Sequence, residues 1–78
     1  MKIFDRITFN PLMMGGRACI RGMRIPVSIV VKLVAGGYPI PDILRDYPDL
    51  EPADIQQALE YAAWLTDEQI LPAHSHSA

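Results

Sequence analysis

The chain has 78 residues, half of them hydrophobic, one cysteine and a net charge of −2. That length holds one small domain near the lower limit for a single core, and it leaves little room for a substrate pocket. The lone Cys19 excludes an intrachain disulfide and supplies too few ligands for a Cys-based zinc site, so oligomerisation or tight packing must supply stability.

The chain opens with MKIFDRITFN, which turns charged and polar after two apolar residues and does not read as a secretory leader. Its longest apolar run, residues 26–31, is far too short to span a bilayer. A cytoplasmic protein without a membrane partner is expected, in keeping with the single thiol. Ile3, Phe4, Ile7 and Phe9 predict a short first strand, ended by Asn10-Pro11. Met13 and Met14 read as core filler. Gly15-Gly16 permits a tight turn, and residues 17–21 alternate as a second strand with Arg17, Cys19 and Arg21 on one face. Gly22-Met23 then reads as a two-residue hairpin turn, with Arg24-Ile25 returning so that Ile25 lies beside Ile20.

Pro26 or Ser28 begins a helix that runs to about Ala35, and Gly36-Gly37 ends it. Val27, Val30, Val31 and Val34 form one apolar face; Ile29 and Leu33 add a second stripe, and Lys32 is the single charge. Such a helix is expected to be covered on more than one side. A short helix over residues 41–46 follows, stopped by Pro48. A longer one starts at Pro52, with Asp54 in its first turn and Ile55, Ala58, Leu59 and Ala62 on its buried face. Leu59 is expected to pack against the first helix. Residues 1–72 therefore predict a single domain, and residues 73–78 a flexible tail.

Charge is divided along the chain. Residues 1–41 hold six basic groups and one acid, giving +5; residues 42–78 hold one basic group and eight acids, giving −7. This predicts a polarised surface or neutralisation between subunits. A short helix, a tight turn and a longer helix over residues 41–65 match the helix-turn-helix pattern, though two helices meeting at a proline corner are also common packing. Gln56, Gln57 and Tyr61 lie on the exposed face of the last helix and are candidate contacts to bases or backbone. Asp54 and Glu60 on that helix repel phosphate, so Arg17, Arg21 and Arg24 are the better phosphate contacts. Two readings of these arginines stand: a nucleic-acid or acidic-partner surface, and an ordinary charged hairpin face. Trp64 reads as a lid on the core or an interface anchor. Gly15-Gly16-Arg17 reads as a plain turn rather than an anion nest, and His74 and His76 as solvated tail. No catalytic pairing, metal-ligand spacing or cofactor motif emerges, so no enzyme activity, metal or cofactor is expected.

Residues 6–63, through GGRACIRGMRIPV, ILRDYPDL and DIQQALEYAA, resemble the domain-of-unknown-function family numbered 433. The resemblance implies a mainly α fold: a small three-helix, homeodomain-like helix-turn-helix bundle with a short N-terminal β-hairpin. It also implies an antitoxin of a VapBC-like toxin–antitoxin module, paired with a PIN-like ribonuclease toxin. Where that family has Ser or Thr capping its second and third helices, this chain has Ile40 and Glu51. The resulting expectation is a non-enzymatic homodimer that neutralises such a toxin and represses its own operon by binding DNA. The alternative is a protein-interaction or scaffold domain with no DNA contact.

Overall fold

The computed structural model describes residues 3–67. The tail at 73–78, with His74 and His76, and the end of the expected domain at 68–72 lie outside the described residues. Strand β1 (Ile7–Phe9) is followed by a single 3-10 turn over Met14–Gly16, then strand β2 (Ala18–Ile20). Helices α1 (Val27–Ala35), α2 (Ile40–Asp46) and α3 (Pro52–Leu65) complete the order. The result is three helices beside a two-stranded antiparallel sheet. No helix of the described residues is long and apolar enough to cross a membrane.

The sheet differs from the expected hairpin. Strand β2 pairs with β1, in the register Ile7–Ile20, Thr8–Cys19, Phe9–Ala18. The return at Arg24-Ile25 contributes an isolated bridge between Cys19 and Pro26 and one bond, from the Ile20 amide to the Ile25 carbonyl at 3.0 Å. Ile25 does lie beside Ile20, but residues 24–25 form no strand. The tight turn is also shifted by one residue. Its two left-handed positions are Arg21 (φ 43°) and Gly22 (φ 73°), closed by the Met23 amide on the Ile20 carbonyl at 2.7 Å. A non-glycine residue there costs on the order of 1 kcal/mol, which something else must offset.

The core joins both strands and the three helices: Ile7, Ile20, Val27, Val30, Ile43, Leu50, Ile55 and Ala58. Cys19 is buried as a small filler. Leu59 is half-buried at the margin, because α3 centres its inward face on Ile55 and Ala58. Met14 is exposed and Met13 half-buried, and neither joins the core cluster, so the methionine pair is not core filler. Helix α1 buries only Val27 and Val30; Ile29, Val31, Leu33 and Val34 stay half-covered. It ends as the glycines require. The Tyr38 amide reaches the Leu33 carbonyl (3.1 Å) and the Gly37 amide the Val34 carbonyl (3.0 Å), with Gly37 at φ 88°.

A buried ion cluster ties the sheet to α3. Asp54 is 0 % exposed. It accepts from Arg6 Nη1 (2.8 Å), from Arg21 Nε and Nη2 (3.0 and 2.9 Å) and from the Glu51 amide (2.8 Å). Arg6 also pairs with Glu51 at 2.9 Å, and Arg21 Nη2 donates to the Asp49 carbonyl at 2.8 Å. Two cations and two carboxylates thus close a neutral group in which the acceptor sites of Asp54 are filled. The contact from the Glu51 amide to Asp54 also caps α3 from its third residue, so Glu51 needs no Ser-like side chain. Two of the six basic groups in residues 1–41 are thereby neutralised by acids of the second half within one chain.

Burial raises the Asp54 pKa, but hydrogen bonds from Arg21, Arg6 and the Glu51 amide outweigh it and hold the carboxyl at about 2. The guanidiniums of Arg6 and Arg21 are raised in turn, chiefly by their bonds to Asp54. The folded-state value lies below that of a free aspartate. Its contribution, about 2 kcal/mol, is therefore complete above about pH 4 and lost as pH falls through about 2. Circular dichroism during acid titration should show unfolding in that window, and Asp54→Asn should lack this component while being less stable at pH 7. Asp54→Ala leaves two guanidiniums facing each other and should cost about 3–5 kcal/mol in urea denaturation. A loss below about 1 kcal/mol would contradict a structural role for the cluster.

Candidate functional site

An apolar groove of ≈ 590 Å³ opens between the sheet, α1 and α3. Its origin is local. Ile7 and Phe9 share one face of β1, but Phe9 lies beyond the core and is 61 % exposed. It stands opposite Ala18, and both line the groove. From α1 come Val27 and Val31, one turn apart, with Ser28 and Lys32 beside them. From α3 come Tyr61, Ala62 and Leu65, the last 60 % exposed at the end of the helix.

Aromatic rings extend this surface past the groove. Phe9 and Phe4 meet Tyr61 with centroids 6.2 and 5.2 Å apart, and Trp64 lies 6.1 Å from Tyr61. Trp64 packs on Phe4 as well, at 5.6 Å, and remains 55 % exposed. Arg17 and Lys32 stand on the rim. With Arg24, they form no ion pair to another described residue. On the other flank of α1 a smaller cleft of ≈ 240 Å³ lies among Met14, Ile25, Pro26, Ile29 and Tyr47. It is rimmed by Arg24 and, again, Arg17. Arg17 therefore stands between the two depressions. An arrangement of this kind offers desolvation of apolar side chains with a cationic border.

The residues singled out from sequence separate into three groups. Arg17, Tyr61 and Trp64 belong to the groove and its aromatic extension, and Arg24 to the neighbouring cleft. Arg21 does not display its charge outward with Arg17; the left-handed backbone turns its guanidinium onto Asp54. Gln57 is bound at both ends of its amide, accepting from the Arg6 amide (2.6 Å) and donating to Asp5 (2.9 Å). Gln56 is exposed and donates to Glu60 one turn along, at 3.2 Å. The Gly15-Gly16 turn forms no anion nest, because the Gly16 and Arg17 amides are engaged by the Met13 and Met14 carbonyls at 2.9 and 3.3 Å. Phe9, Val31, Lys32 and Leu65 were not singled out. The available signals were the Ile7–Phe9 alternation, the solitary charge of α1 and the one-turn spacing of Tyr61 and Leu65.

Most of the groove and of the ion cluster lies within a stretch that known proteins share, with Arg6 and Leu65 just outside the family match. The family model described as a protein of unknown function (DUF433) matches residues 7–62. The uncharacterized protein y4eO of Sinorhizobium fredii (strain NBRC 101917 / NGR234) is 36 % identical over 56 residues, 72 % of this chain and 25 % of that protein. The chain thus spans a quarter of the length of that curated relative. The crystal structure of a DUF433 member from Anabaena variabilis ATCC 29413 superposes with a TM-score of 0.72 at 33 % identity. That match covers 92 % of this chain and 70 % of the other. With the family model spanning most of the chain and a solved member sharing its fold, this protein belongs to the DUF433 family of proteins of unknown function.

Proposed function

We propose that the chain is a non-catalytic binding module of the antitoxin kind, which neutralises a partner protein by holding part of it in the groove. The supporting observation is the groove itself: apolar walls open to solvent, with Phe9 and Leu65 largely exposed, beside two cations that no described residue neutralises. Exposed apolar surface grouped in this way marks an interaction site rather than scattered surface residues. A PIN-like ribonuclease is the partner that the family resemblance brings. The dimer expected from composition belongs to the same reading, and sedimentation at micromolar protein tests it.

DNA binding is a second reading, favoured by Arg17, Arg24 and Lys32, which pair with no described residue, and by the succession of α2, turn and α3. In that reading the three helices act as a homeodomain-like helix-turn-helix. It is the weaker of the two, since α3 carries Glu60 on its outer side and one of its two glutamines is spent on Arg6 and Asp5.

The test is co-expression with the product of the adjacent reading frame, followed by co-purification and an RNA-cleavage assay. Wild type should form a complex and suppress cleavage. Leu65→Asp should suppress it about tenfold less or worse, as expected for an apolar anchor worth more than 1 kcal/mol. Arg24→Ala should behave as wild type in this assay and change stability by no more than about 0.5 kcal/mol. If no complex forms, and duplex DNA from the chain's own promoter region binds with a steep salt dependence, the repressor reading replaces this one.

A further inference from the structure

We propose that the groove takes an acidic amphipathic helix: the partner presents an apolar stripe to Val31, Tyr61 and Leu65 and carboxylates to Arg17 and Lys32. This names the chemistry of the partner and rests on the groove being the working site. The charge requirement follows from the interior. Arg6 and Arg21 have their counterions in Asp54 and Glu51, whereas Arg17 and Lys32 have none among the described residues. Covering the groove with a neutral or basic segment would strip water from both rim cations with no compensation. An occupant with acids at its edge supplies it.

The shape requirement follows from the walls. Two are helices and the third is the Phe9–Ala18 end of the sheet, so an added helix meets ridges of side chains on both sides, as in helix-in-groove recognition. Strand addition is disfavoured because β1 and β2 are three residues each, and the Arg6 amide beside β1 is already taken by Gln57. Aliphatic side chains (Ala18, Val27, Val31, Ala62 and Leu65) outnumber the two aromatic ones, Phe9 and Tyr61, in the lining, which suits interdigitating side chains more than a run of stacked bases.

Two labelled peptides of about 16 residues, long enough for a marginal helix, serve as probes. Each carries Leu at helical spacing on one face; the rest is Glu in one and Lys in the other. Fluorescence anisotropy should show the Glu peptide binding wild type. Arg17→Glu with Lys32→Glu should weaken it at least about tenfold, the combined effect of two lost and reversed ion pairs, and should admit the Lys peptide instead. Leu65→Asp should remove both interactions. Arg24→Glu, across α1, should change the Glu peptide little, with circular dichroism confirming that each variant is folded. Equal binding of both peptides would overturn the proposal. So would single-stranded RNA binding that the double variant abolishes while neither peptide binds, or a dimer that Leu65→Asp splits without peptide, which would make a second copy the occupant. If the neighbour-encoded protein still needs Leu65 but ignores the charge reversal, the acidic-helix proposal fails while the groove reading stands.

Discussion

The closure of Arg6, Arg21 and Glu51 around the buried carboxylate of Asp54 is the constraint on which the arrangement depends. A single ionised carboxylate at 0 % exposure would be untenable alone. Here it receives donors from before β1, from the turn after β2 and from its own helix start. Those donors fix where the first turn of α3 stands relative to the sheet. The rest of α3 then runs from that point to Tyr61 and Leu65, so the wall of the groove is positioned by a cluster at the opposite end of the same helix. Apolar packing of Ile55 and Ala58 supplies much of the cohesion, and the ion cluster supplies the register.

The same cluster determines which charges are left for a partner. Two of the basic residues in the first half of the chain are absorbed by Asp54 and Glu51, and Arg45 pairs with Asp42 and Asp46 on α2. What remains unpaired among the described cations, Arg17, Arg24 and Lys32, gathers around the first turns of α1. A surface of this kind comes from subtraction as much as from placement. The three arginines that precede the apolar helix divide into one that holds the fold and two that face outward.

The helices were legible in the sequence because their signals are local. Prolines at 26, 41 and 52, the Gly36-Gly37 stop and the spacing of Val27, Val30, Ile55 and Ala58 all act within a turn or two of the chain, and α1 to α3 fall within a residue or so of the expected bounds. The sheet was only partly legible. Ile7 and Ile20 carry the right character for strands, but pairing across the twelve residues between them is a tertiary choice, and a nearer hairpin satisfied the same alternation. The ion cluster was invisible for the same reason. Asp54 in a helix first turn has a sufficient local explanation in the helix dipole, and nothing nearby announces a partner 33 or 48 residues away. Of the groove, Arg17, Tyr61 and Trp64 were found through their character, whereas Phe9 and Leu65 were missed because each sits one step beyond the core that its neighbours enter.

The left-handed backbone at Arg21 narrows what this position can hold. Glycine would suit the φ of 43° at no steric cost, yet it would leave Asp54 without its bidentate donor and Asp49 without its cap. Asparagine also tolerates that conformation, but its side chain is too short for the same reach and carries no charge. Lysine keeps the charge and loses the planar fork that engages both carboxylate oxygens at once. Each substitution satisfies one demand by abandoning another. A turn that would elsewhere be freely exchangeable is, in this chain, restricted to a residue whose own backbone preference argues against it.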